Sequence, residues 1–185
     1  PTTTIYGQYR TLILEDENAN FIWGESSTGS VDNAFYVISV ERARYKQSLL
    51  PGTLNLTLSS SNASAIATQI QLTDNSGMVT LPTYYGTQRI YQLISGSNGV
   101  AYDAATGGTG FTANSGSYGW FCPDISTILL NEAALDDNSS DGGGINLATD
   151  TTANSFGNNP AKLYAVMTAS LGDDNGDKFL LNSQE

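Results

Sequence analysis

Histidine is absent from this chain of 185 residues, cysteine occurs once, and charged residues make up only 14%. Histidine is the side chain whose unperturbed pKa lies near neutrality, so its absence removes the commonest acid–base, triad and imidazole–metal arrangements together. Carboxylate, lysine and metal chemistry stay open, but the default becomes a structural or binding protein without turnover. The lone Cys122 has no partner for an internal disulfide, so the fold does not depend on an oxidising compartment. With Trp120, Phe121 and Ile125 as neighbours and no imidazole to activate it, Cys122 reads as a small buried hydrophobe and not a nucleophile. Positive charge is scarce too. Lys and Arg number 7 against 18 Asp and Glu, a net charge of −11 that repels phosphate backbones and anionic membranes, so neither nucleic acid nor membrane is expected as a partner. No stretch approaches the roughly 18 uninterrupted apolar residues of a membrane helix, and nothing at the N-terminus reads as a basic-then-apolar signal peptide. A soluble, unexported chain is the expectation.

What is present is β-forming material broken by turn residues. Hydrophobic residues make up 39%, including 10 Tyr, 6 Phe and 2 Trp spread along the chain, enough for one domain over 1–185 with a core of its own. The end at Asn-Ser-Gln-Glu, just after Phe179-Leu180-Leu181, fits a piece of a longer chain as well as a complete one. Phe35 to Val40 is apolar or aromatic except at Ser39, which suits a strand covered on both faces or at an interface. Leu54, Leu56 and Leu58 alternate with Asn55 and Thr57 as in a strand with one wet face. Ile66, Thr68, Ile70 and Leu72 keep the same period, with Gln69 and Gln71 opposite. Between the first two of these strands, Leu50-Pro51-Gly52-Thr53 places Pro and Gly where a type II turn wants them. Arg89 to Ile94 and Val100 to Tyr102 flank Ser95-Gly96-Ser97-Asn98-Gly99, whose Asn-Gly pair favours a hairpin.

A further apolar block, Ile125, Ile128, Leu129 and Leu130, leads into Glu132-Ala133-Ala134-Leu135, which can turn helical. One helix is predicted over 160–171, with Asn159 as N-cap, Pro160 at the first turn and Gly172 as the stop. Leu163, Val166, Met167, Ser170 and Leu171 then share one face, as in a helix packed on a sheet. Residues 103–117 and the long Asp-, Gly- and Asn-rich stretch 136–159 read as loops. The fold class expected is mainly β, an antiparallel β-sandwich or open barrel with one to three short helices.

The most concentrated chemistry is Glu41-Arg42-Ala43-Arg44-Tyr45-Lys46-Gln47, where Arg42, Arg44 and Lys46 are three of only seven basic residues. In so acidic a chain they form a candidate protein-contact patch for an acidic partner surface, another copy of the chain among the candidates. The local alternative, compatible with it, pairs Arg42 and Arg44 with Glu41 and nearby acids while Tyr45 packs inward. Asp137, Ser139, Asp141 and Gly142 match the first half of an EF-hand loop, but Ala148 stands where the bidentate carboxylate belongs. Asp173-Asp174-Asn175-Gly176-Asp177 has its Gly out of register. Both read as solvated turns, and no metal or other cofactor is expected. Carboxylate pairs for glycoside hydrolysis are set by distance in space and leave no signature here, and no nucleophile elbow, phosphate loop or dinucleotide fingerprint occurs. The sequons at Asn55, Asn62 and Asn138 carry little weight without a secretory signal.

The passage Phe35-Tyr36-Val37-Ile38-Ser39-Val40-Glu41-Arg42-Ala43-Arg44-Tyr45-Lys46-Gln47-Ser48-Leu49-Leu50-Pro51-Gly52 resembles large virion structural proteins of contractile-tailed phages of marine cyanobacteria. Tyr91-Gln92-Leu93-Ile94-Ser95-Gly96-Ser97 and Phe121-Cys122-Pro123-Asp124-Ile125-Ser126-Thr127-Ile128-Leu129-Leu130-Asn131 are similar to the same family, so the likeness spans roughly 35 to 131. It implies a non-enzymatic component of the tail or baseplate region, a β-rich module that contacts other virion proteins and copies of itself. Its location would be the virion, assembled in the host cytoplasm. No catalytic residue comes with the resemblance. The rival is a glycan-binding adhesin or receptor-binding domain, with Trp23, Trp120 or several Tyr lining a groove and the Asn- and Asp-rich loops supplying hydrogen bonds or calcium.

Overall fold

A computed structural model describes residues 2–24, 30–32, 34–44, 47–59, 69–102, 117–136, 144–147, 149 and 158–169. Eight strands form one antiparallel sheet: β3 (Phe35–Ser39), β4 (Leu56–Ser59), β5 (Gln69–Asp74), β6 (Thr83–Tyr85), β7 (Gln88–Ser97), β8 (Val100–Ala101), β9 (Gly119–Cys122) and β10 (Thr127–Asn131). Their order is β3-β10-β9-β7-β5-β4, with β6 and β8 paired to opposite ends of β7, and the sheet curls into a half-barrel. Of the two forms expected from the sequence, the open barrel is the nearer. A separate ribbon pairs β1 (Phe21–Trp23) with β2 (Ser30–Asp32). The helices are α1 (Thr2–Tyr9), continued by a π-type turn at Arg10–Leu14, then α2 (Glu132–Asp136) and α3 (Asn159–Ala169).

Period-two alternation sends successive side chains of the middle strands into two different cores. On one side Tyr36, Phe121, Ile128 and Leu130 join Leu54, Leu56, Leu58, Ile70, Leu72 and Leu93, and this core is closed by Leu135, Leu163 and Val166. On the other, Val37, Trp120, Cys122 and Leu129 meet Ile13, Phe21 and Trp23. The strand predicted at Phe35–Val40 to be covered on both faces is therefore β3, with its neighbours β10 and β9 in the same position. The second core is aromatic. Tyr6 and Tyr9 of α1 lie 5.0 and 6.0 Å from Phe35, Trp23 meets Trp120 edge-on at 5.5 Å, and Tyr85 stacks on Trp120 at 4.9 Å. Such pairs contribute about 0.5–1.5 kcal/mol each beyond their buried area.

Polar side chains define where strands stop. Asn131 ends β10 and caps α2: its Oδ1 accepts from the Ala134 amide at 3.4 Å, while its Nδ2 donates to the Ser117 carbonyl at 3.0 Å. The segment 144–147 returns under α2 through bonds from the Ile145 and Leu147 amides to the Leu135 carbonyl. Tyr36 and Asp136 both bond the Thr149 hydroxyl, at 2.5 and 2.8 Å.

The expected turns form as read. Gly52 has φ +86°, the value of the third residue of a type II turn, and Asn98 (φ 51°) and Gly99 (φ 76°) make the two-residue link between Ser97 and Val100. The helix predicted over 160–171 is α3, one residue earlier at its start; Ser170, Leu171 and Gly172 lie outside the described residues, as do Ile66 and Thr68 of the strand that becomes β5. So do 103–116 and most of the predicted loop 136–159.

Candidate protein-contact surface

The basic patch sits where the chain leaves the edge strand β3. The Val40 amide donates to the Ser126 carbonyl at 2.9 Å and the Leu49 amide to the Pro123 carbonyl at 3.2 Å, so both ends of the intervening segment are tied to the turn joining β9 and β10. Within it Arg42–Arg44 forms a 3-10 turn, closed by the Arg44 amide on the Glu41 carbonyl at 2.9 Å. The segment after β3 thus supplies the loop, and the turn at Pro123–Ser126, distant in sequence, supplies its anchor.

Of the three predicted contact residues, Arg44 is the one whose side chain is described. It projects to solvent with Nε 3.8 Å from Glu41 Oε2, both side chains about three-quarters exposed at 77% and 74%. The local pairing with Glu41 therefore exists, at a strength of about 0–1 kcal/mol that leaves Arg44 available to a better acidic partner. The backbone places Arg42 in the same turn; its side chain, and Tyr45 and Lys46 entirely, lie outside the described residues. So do the Asp-rich stretches 137–141 and 173–177, read from sequence as solvated turns.

Beside the loop is an ion pair that the sequence did not reveal. Asp124, in the anchoring turn, receives Arg89 Nη2 at 2.5 Å and Arg89 Nε at 2.9 Å, with roughly a third of each side chain exposed. The Arg89 hydrogen bond holds the Asp124 carboxyl below its ordinary pKa, against the opposing effect of burial, and Asp124 in turn raises that of Arg89. Asp124 is thereby occupied within the chain. The signal available in sequence was only an Asp after Pro123 in a turn, which names no partner.

Trp23 and Trp120 are both fully buried, 0% exposed, and so form no stacking platform at the surface. Cys122 is buried as expected, and desolvation, with a smaller effect of Asp124, pushes its thiol up to about 12. Among the described residues no three His, Cys, Asp or Glu side chains gather as a metal site. No known family, curated protein or solved structure matches the chain. Among the described residues, what this surface offers chemically is a backbone-anchored loop with the exposed guanidinium of Arg44, a group that pairs with carboxylates.

Proposed function

We propose that this chain is a non-enzymatic structural component of a bacteriophage virion, associated with the tail or baseplate and acting through protein–protein contacts. One observation carries the reading: the three passages that resemble contractile-tailed phage proteins, distant in sequence, fall on β3, β10, β9 and β7, four strands adjacent in one sheet. The large aromatic residues support the same reading, because Trp23, Trp120, Phe21 and Phe121 are used in packing and not held at the surface. An adhesin built on either Trp would need the opposite arrangement.

The test is immunogold electron microscopy of contractile-tailed particles from an infected culture, using antibodies raised against the purified chain. Labelling at a fixed position on the tail or baseplate is the expected result. Particles that remain unlabelled while the antibody recognises secreted or cellular material would overturn the proposal. Specific glycan-array binding that survives removal of the basic patch would favour the adhesin.

A further inference from the structure

We infer that the uncharged turn face within residues 47–102 is where two copies of this chain associate. Between Gln47 and Tyr102 the sequence holds only two charged residues, Asp74 and Arg89, whose charges cancel, so the whole net charge of −11 is carried elsewhere. Neither of the two is a free surface charge. Asp74 is fully buried and accepts from the Gly52 and Ser76 amides, and Arg89 is held by Asp124.

This neutral stretch also carries the exposed apolar side chains. Among the described residues six of the nine large hydrophobics that face solvent belong to it, and three are brought together by the backbone. A Cβ at Gly77 would lie 2.5 Å from the Gly99 carbonyl oxygen, and one at Gly99 would lie 2.9 Å from the Gly52 Cα, so three turns meet at glycine with no room for side chains between them. Leu50, Met78 and Val100 stand within two residues of these glycines and are 56%, 48% and 64% exposed. Isolated exposed hydrophobics need no explanation, but several carried by turns that meet within an uncharged stretch of chain mark an interaction surface.

The junction is also held in place. Asn55 Nδ2 donates to Asn98 Oδ1 at 2.7 Å, its Oδ1 accepts from the Asn98 amide at 2.9 Å, and the Gly99 amide donates to Thr73 Oγ1 at 2.8 Å. Little conformational freedom remains to be lost when something docks.

Charge decides what docks. Two copies at −11 repel wherever their acidic surfaces oppose, and a face on which the described residues of 47–102 present no free charge is the place where a copy can meet itself with least of that penalty. A cationic partner would be drawn instead to the acidic remainder of the molecule. An apolar, neutral patch is self-complementary, as a two-fold interface requires. This association is separate from the virion reading and from the Arg42–Lys46 contact, and salt distinguishes it: screening strengthens contact between like-charged copies, whereas it weakens the docking of an acidic loop on a basic one.

Sedimentation velocity of the purified chain over a concentration series tests this, from about 0.01 M salt, where the Debye length is about 30 Å, to about 1 M, where it is about 3 Å. The expected result is a reversible dimer that tightens with salt. Leu50→Glu combined with Val100→Glu should weaken it roughly tenfold or more, by opposing like charges across the axis, without altering the circular dichroism spectrum. As a second readout, Val100→Cys should cross-link copies under mild oxidation, since Cys122 is buried. A monomer under every condition, a dimer indifferent to the paired Glu substitutions, or one that loosens with salt overturns the inference. Failure here leaves the immunogold result untouched, so the two claims fall separately.

Discussion

Asp74 is the residue on which the turn end of the sheet most depends, and Asp74→Ala is its sharpest perturbation. Its side chain has no solvent exposure, and both carboxylate oxygens lie 2.9 Å from the Gly52 amide nitrogen while Oδ1 also accepts from Ser76 at 3.1 Å. The first contact fixes the Pro51-Gly52 turn against β5, and the second caps the 3-10 turn Asn75–Gly77. Truncation leaves two amides without their acceptor, and a hydrogen bond to a charged group contributes about 1.5–3 kcal/mol. Because the two bonds share one carboxylate they do not add in full, and a loss of about 3 kcal/mol is expected. For a domain of this size that corresponds to a fall of about 6–12 °C in melting temperature. Asp74→Asn keeps one acceptor oxygen and should cost about half as much. Urea denaturation gives the free energies, and amide hydrogen exchange at Gly52 and Ser76 should accelerate in the Ala variant. An Ala variant within about 0.5 kcal/mol of the parent, the range of ordinary surface substitutions, would refute the reasoning.

The Arg89–Asp124 pair should contribute about 0.5–1 kcal/mol at neutral pH in a double-mutant cycle, given its partial exposure. Because the folded Asp124 pKa is depressed, that contribution is full above the ordinary value of about 3.9 and disappears as pH falls through the lower folded value; a coupling that persists in strong acid would contradict the pairing. Cys122 should resist a thiol reagent until the chain unfolds. With its pKa raised from 9.0 to about 12, the stability it contributes is present below the lower value and lost as pH rises between the two, a decline that Cys122→Ala should reduce. Replacing Arg42, Arg44 and Lys46 together by Glu should leave the urea midpoint nearly unchanged and impair assembly, most strongly in low salt; assembly equal to the parent with the same salt dependence would make the patch ordinary surface.

The legible parts of the fold were those specified locally. The alternation of Leu56 and Leu58 with polar residues, the Pro51-Gly52 and Asn98-Gly99 turns and the helix opened by Pro160 each follow from a few neighbouring residues, and each is present. α1 was not legible, because Thr2, Thr3, Thr4 and Gly7 are poor helix formers and the helix is held by Tyr6 and Tyr9 against Phe21 and Phe35. β9 was missed as a strand because Trp120-Phe121-Cys122 shows no alternation when both faces are buried. At the contact surface, clustering of Arg42, Arg44 and Lys46 was visible in sequence, but the anchors Pro123 and Ser126 are some eighty positions away and the Arg89–Asp124 pair joins β7 to the turn between β9 and β10. Asp74 did carry a sign, since Asp-Asn-Ser-Gly is turn chemistry, yet nothing local indicated that its second partner would be Gly52.

The most direct measurement of the central claim is an electron cryo-microscopy reconstruction of the intact particle at side-chain resolution. The account predicts this half-barrel in the tail or baseplate density, with the Arg42–Lys46 loop against an acidic segment of a neighbour and Leu50, Met78 and Val100 covered by a second copy. A complete particle whose density is accounted for without this chain would contradict it.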